Sequence, residues 1–175
     1  MINTKRVKRR TLRFETLAAV LAEIESLAAA ERENRLIASG NWSLSQAINH
    51  LAAWVEYAYT GSPVPVPWVM RVLMRQLKPL VLKRGMVAGV KIRGTKDGTV
   101  GADATATDVA LARLKRAFDR LAREAPSKPN ALFGPLTQPE WIALQLRHSE
   151  LHLGFFRAQN PPPRHPERSE GPGFP

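Results

Sequence analysis

Histidine carries the clearest chemical signal in this chain, because three of its four histidines are spaced to act together. His148 and His152 form an H-x-x-x-H pair in RHSELHLGFF, and His50 lies in WSLSQAINHLAAW. A helix advances about 100° per residue, so His148 and His152 point within about 40° of each other, one turn apart. Two such imidazoles can share one ion, and a third from a facing helix completes a face of three nitrogen ligands. That donor set leaves a coordination position open, which suits a catalytic metal better than a structural one. Burying three neutral imidazoles without partners is costly, and a shared metal removes the cost.

The expected cofactor is a divalent cation held by His50, His148 and His152. Zinc is the first choice, but imidazole also suits nickel, iron and manganese. Three neutral ligands leave the cation its full charge, so a water in the open position becomes acidic, with a pKa near about 7 on zinc. A thiol could take the same position as thiolate. It would have to come from outside, because the chain has no cysteine. The H-E-x-x-H pattern of zinc proteases is missing. Glu150 follows His148 by two residues, about 200° round the helix, and should face solvent or pair with Arg147 or a neighbouring helix. Gln46 and Gln145, each about one turn before a histidine, are either outer partners of the ligands or ordinary helix surface. Trp54, one turn beyond His50, can wall a pocket, whereas Trp42 and Trp141 read as packing residues. Glu56 and Tyr57 lie on the same helix as His50, but neither is identified as a base, and no catalytic side chain is assigned. His165 sits among prolines and is not expected to ligate.

Positioning these residues falls to helices, since strand-like alternation is nearly missing. Phe14, Leu17, Leu21, Ile24 and Leu27 predict a first helix ending near Glu33. Ser43 and Gln46 form a capping box for a second, with Leu44, Ala47, Ile48, Leu51 and Val55 on one face. Pro67 opens a third, WVMRVLMRQLKPLVLKRG, which Pro79 should kink or end early. Residues 85–106, rich in Gly, Thr and Asp, predict a long loop with a short extended piece at Val87–Ile92. Thr107 is the expected cap of a fourth helix whose apolar side is Val109, Leu111, Leu114, Phe118 and Leu121. Thr137, Pro139 and Glu140 start the last, which carries the histidine pair to about Ala158. The expected fold is all-α: an antiparallel four-helix bundle over residues 1–159, with an extra kinked helical segment and one long loop. Residues 160–175, PPPRHPERSEGPGFP after Asn160, predict a disordered Pro-rich tail.

The segments GNWSLSQAINHLAAWVEY and LFGPLTQPEWIALQLRHSELHLGFF, with Trp42, Ser43, His50 and Leu51 followed late by His148 and His152, resemble the DinB/YfiT-like superfamily. The likeness covers roughly residues 5–158 and is to a subgroup of unassigned function. It implies a four-helix bundle whose three histidines, here His50, His148 and His152, hold a divalent metal. Some members of that superfamily are transferases or isomerases using a low-molecular-weight thiol, others are described as metal-dependent hydrolases, and many form homodimers. The Gly-rich segment 85–106, the basic start and the tail lie outside the common core.

The 175 residues suffice for one domain with a real core, and 44% hydrophobic content fits a soluble globular chain. The start, MINTKRVKRRTLRF, has no apolar run after its charges and is not expected to act as a signal peptide. With no cysteine and no bilayer-length apolar stretch, a cytoplasmic protein acting on a small molecule is the expected setting. The formal charge of +11 leaves rivals open. Lys5, Arg6, Lys8, Arg9 and Arg10, with cations at 71–84 and 113–123, could bind nucleic acid, but no helix-turn-helix, RNP or zinc-finger pattern accompanies them. PVPWVMRVLMRQLKPLVLKRG has the mix of an interfacial membrane helix, but is expected to pack against the bundle. Neither nucleic acid nor membrane is therefore the expected partner. A bundle whose metal is purely structural is the remaining alternative.

Overall fold

The computed structural model describes residues 2–89, 95 and 99–160. The described chain is mostly helical, in the order α1 (Leu17–Arg32), β1 (Leu36–Ala38), α2 (Leu44–Thr60), α3 (Trp68–Arg84), α4 (Thr107–Arg123), α5 (Gln138–Leu153) and β2 (Phe156–Ala158). Helices α1, α2, α4 and α5 pack around a shared core, with α2 against α4 the most extensive pairing, and α3 rests on α5. This is the helical bundle expected from the apolar periodicity. The core is built from Ile24 and Leu27 of α1, Ile48 and Leu51 of α2, Leu114 and Phe118 of α4, and Trp141 and Leu144 of α5.

The helix starts follow local chemistry. Ser43 Oγ accepts from the Gln46 N–H while Gln46 Oε1 accepts from the Ser43 N–H. Thr137 and Glu140 repeat the arrangement at α5. Both helices that carry the histidines thus begin on a reciprocal capping box, which satisfies two otherwise orphaned amides and fixes where each helix starts.

Four expectations need correction. First, α5 ends at Leu153 and not near Ala158, because the backbone beyond it is engaged elsewhere. Arg10 N–H donates to the Gly154 carbonyl and Ser39 N–H to the Phe155 carbonyl. Phe156–Ala158 then pairs antiparallel with Leu36–Ala38, with Ile37 opposite Arg157. Second, α4 lacks a side-chain cap: Thr107 is its first helical residue, and its hydroxyl donates to Glu31 Oε2 at 2.5 Å. Its inward stripe is Ala110, Leu114, Ala117, Phe118 and Leu121, which turns Val109 out to solvent at 56% exposure. Third, α3 runs unbroken past Pro79 to Arg84. The proline frees the Arg75 carbonyl from its helical bond, and on this exposed helix water can satisfy that carbonyl. Fourth, α3 packs on the bundle by one side only: Met74, Val81 and Leu82 are partly buried against the core, and none of its residues is fully buried. Phe14, expected in the first helix, precedes it but is buried all the same. The extended piece at Val87–Ile92 falls partly, and the tail from residue 161 with His165 wholly, outside the described residues.

The N-terminal segment is held to α5 at several points, among them Arg9, which donates to the Leu151 carbonyl at 3.2 Å, and the backbone of Phe14. Phe14 N–H donates to Glu150 Oε1 at 2.7 Å, and the Phe14 carbonyl accepts from Arg147 Nη2. Arg147 and Glu150 in turn pair at 3.0 Å. Glu150 therefore points away from the histidines and pairs with Arg147, as its helical angle requires.

Candidate metal centre

His50 sits in the second turn of α2, and His148 and His152 occupy the last turns of α5. The packing of α2 on α5 brings them together. His50 Nε2 lies 3.1 Å from His148 Nε2, which lies 3.0 Å from His152 Nε2. The three ligand atoms all fall within 4.8 Å of one another. His50 and His148 are buried and His152 is half-buried, so solvent reaches the cluster from the His152 side.

The tautomer of His50 follows from its surroundings. Its Nδ1 lies 2.8 Å from the Val100 carbonyl, which can only accept, so Nδ1 carries the hydrogen and Nε2 presents a lone pair. His148 Nε2 faces two other Nε2 atoms and has only one hydrogen to offer. Three in-plane nitrogens aimed at one point are thus poorly satisfied by one another and well satisfied by a cation. Two of the three spacings, 3.1 and 3.0 Å, come close to the value for a tetrahedral zinc, whose nitrogens at roughly 2.0–2.1 Å lie about 3.3 Å apart. These three histidines fit a metal ion.

Electrostatics point the same way. Burial pulls the His50 imidazole down to about 4, against the Val100 carbonyl, which pulls it up. Burial, and then the neighbouring His50, takes His148 well below the ordinary imidazole range. His152 is lowered in the same sense, first by burial and then by His148, His50 and Arg9. All three are neutral near pH 7, the form that can ligate.

Aromatic rings wall the cluster. Trp42, expected only to pack, stacks on His152 with centroids 5.1 Å apart and planes 13° apart. It also lies 5.0 Å from His50. Trp54 meets His50 and His148 edge-on at 5.9 and 5.8 Å. Its indole Nε1 is buried without a hydrogen-bond partner, a donor at the wall of the cluster. Trp141 is a core residue, as expected.

Residues 99–105 pack against α2 beside the site. Gln46, Asn49, His50 and Ala53, at i, i+3, i+4 and i+7 on α2, all face this segment. Gln46 Nε2 donates to the Ala102 carbonyl at 3.4 Å, and Asn49 Nδ2 donates to the Asp103 carbonyl at 2.9 Å and to Thr105 Oγ1 at 2.8 Å. Gly101 has φ +78°, and a Cβ there would sit 2.5 Å from Ala53 Cβ. Glycine is therefore required at that point of the loop by conformation and by space. The outer partner of His50 is the Val100 carbonyl and not Gln46, which serves the capping box and this loop. Gln145 donates to the Trp54 carbonyl at 3.4 Å and touches no histidine.

Glu56, the carboxylate of α2, is not free to act as a base. Both oxygens of Glu56 accept from Arg113, at 2.9 and 2.7 Å, and Arg113 also donates to Asn49 Oδ1 at 3.3 Å. Burial pushes the Tyr57 phenol up, so it stays protonated near neutrality. A separate cavity of about 510 Å³ lies on the other face of α5, between Arg147, Glu150 and the N-terminal segment, and the histidines do not line it.

Two signals were missed in the sequence. Trp42 precedes an N-cap, and only the assembled bundle turns its ring onto His152. Val100 contributes a carbonyl, which no side-chain pattern can reveal. Neither the curated proteins nor the solved structures include a match to this chain. Residues 6–159 match the family described as protein of unknown function (DUF1569), and the chain belongs to that family.

Proposed function

We propose that this protein is a metal-dependent enzyme of the DinB-like type, acting on a small molecule as a hydrolase or as a transferase that uses a low-molecular-weight thiol. The observation that carries the reading is the cluster of three neutral imidazoles, two buried and one half-buried, with ligand atoms within 4.8 Å of one another and His50 fixed in the ligating tautomer by the Val100 carbonyl. The residues that would hold the cation are His50, His148 and His152, with zinc the first choice and nickel, iron or manganese the alternatives. When bound, such a cation supplies Lewis-acid chemistry, acidifying a water or an external thiol in its open position.

The chain itself does the rest. Trp42 and Trp54 exclude bulk water from two sides of the cluster and offer apolar faces to a substrate. Trp54 Nε1 has a hydrogen to donate to an oxygen entering the site. The loop at 99–105, held by Asn49 and Gln46, keeps His50 oriented. The resemblance to DinB-like proteins supports the same reading and adds a homodimer to it. Among the described residues, no helix is long and apolar enough to cross a membrane.

Elemental analysis tests the reading directly. Purified wild type should carry near-stoichiometric divalent metal, and a His50→Ala/His148→Ala variant should carry none. Ester hydrolysis and thiol transfer would then be screened with the ion found. A wild type that stays empty after incubation with zinc, nickel and manganese would remove the enzyme reading.

A further inference from the structure

Helix α3 is inside out. Seven of the ten large apolar side chains exposed among the described residues lie on it: Trp68, Val69, Met70, Val72, Leu73, Leu77 and Leu80. Their exposures run from 38% at Leu77 to 69% at Trp68, so they form a patch and not a scatter of single residues. At about 100° per residue, Trp68, Val69, Val72, Leu73, Leu77 and Leu80 fall within one half of the helix circumference. The opposite half, with Met74, Val81 and Leu82, leans on the core. Lys78 ties that inner side to α5 through Glu140 at 2.6 Å.

Charge narrows what can cover this face. The 17 residues of α3 include Arg71, Arg75, Lys78, Lys83 and Arg84 and no acidic residue. Arg75 borders the apolar arc, while Lys83 and Arg84 close its C-terminal end. The basic N-terminal segment adjoins that end, since Arg13 Nη1 donates to the Lys83 carbonyl at 3.0 Å. Lys5, Arg9 and Arg10 line the same cavity wall as Arg84. A second copy set against this face would bring cations onto cations. An anionic bilayer surface would instead take the apolar arc at its acyl boundary and the flanking cations among its headgroups, where long basic side chains reach outward along their stems. An indole at the end of the arc suits the same boundary.

We propose that α3 is an interfacial helix that docks the protein onto anionic lipid, lying in the plane of the membrane surface without crossing it. The bundle then stands on the bilayer through α3 and the basic segment beside it.

The test uses the full-length protein with vesicles of phosphatidylcholine alone or with about 30 mol% phosphatidylglycerol, a composition that sets a negative surface potential. Co-sedimentation should be at least about tenfold stronger with the anionic vesicles and should fall with salt. Tryptophan emission should shift to the blue on binding in wild type, and not in Trp68→Phe. Leu73→Glu, at an exposed position outside the core, should abolish sedimentation with the thermal unfolding midpoint unchanged. Equal binding to both vesicle types, no binding to either, or a Leu73→Glu variant that still sediments would overturn the proposal. So would a stable dimer by light scattering that Leu73→Glu dissociates, because the face would then belong to a second copy.

Discussion

At the scale of single residues, His50 is the most constrained histidine. Its folded-state value near 4 lies below the ordinary 6.5, so between these values the unfolded chain binds the proton that the folded chain refuses. Metal-free protein should therefore lose stability as pH falls from about 6.5 toward 4 and regain it as pH rises, by about 3 kcal/mol for a shift of this size. Urea unfolding across that range checks this; His148 and His152 add to the dependence in the same direction, so His50→Gln should reduce it without removing it. Metal affinity of the folded protein should hold across that window and fall only as pH approaches 4, where protons begin to compete for the His50 nitrogen. Added zinc should raise the thermal midpoint of wild type, by the equivalent of about 4 kcal/mol at a thousand times Kd, and leave His50→Ala/His148→Ala unmoved. The pair His148 and His152 was legible in the sequence because a helix converts a spacing of four into a shared face, and His50 because it too lies mid-helix among apolar residues. The walls and the outer partner were not, since Trp42 and Val100 come from segments whose approach depends on the assembled fold.

At the scale of elements, the loop at 99–105 and helix α2 act as one unit. Gly101→Ala would place a side chain both at φ +78° and 2.5 Å from Ala53 Cβ. The expected cost is on the order of 1–3 kcal/mol. Because the neighbouring Val100 orients His50, metal affinity should fall as well, by titration with a competing chelator. A variant that loses stability but holds metal as tightly as wild type would separate the loop from the site. The capping boxes at Ser43 and Thr137 should each contribute about 1 kcal/mol, read from Ser43→Ala and Thr137→Ala by chemical denaturation. These caps could be read in the sequence because their partners are three residues away. The end of α5 could not, since Gly154 and Phe155 are held by Arg10 and Ser39, remote in sequence. The orientation of α3 was also hidden: its apolar periodicity marks a face, and only its neighbours decide whether that face turns inward.

For the whole molecule, the clasp of Arg147 and Glu150 on the backbone of Phe14 joins the start of the chain to the helix that bears two ligands. Arg147 is only 3% exposed, and removing its charge would leave the Glu150 carboxylate poorly compensated. Arg147→Ala should cost roughly 3–5 kcal/mol of global stability, measured by urea unfolding, whereas Arg147→Met/Glu150→Leu should recover much of it. The bundle class was evident from helical periodicity alone. The pairing of Leu36–Ala38 with Phe156–Ala158 was not, because strands of three residues carry too little alternation to stand out from helix ends.

The hydrogen bond from His50 to Val100 has a consequence for how such a site can be altered. Its acceptor belongs to the main chain, so no substitution at position 100 deletes it, and the side chain there is free to vary. What would change the setting of His50 is the path of the loop: an inserted or deleted residue between α3 and α4 slides a different carbonyl, or none, beneath the imidazole. Anyone wishing to retune this centre should alter the length of that segment before altering its letters.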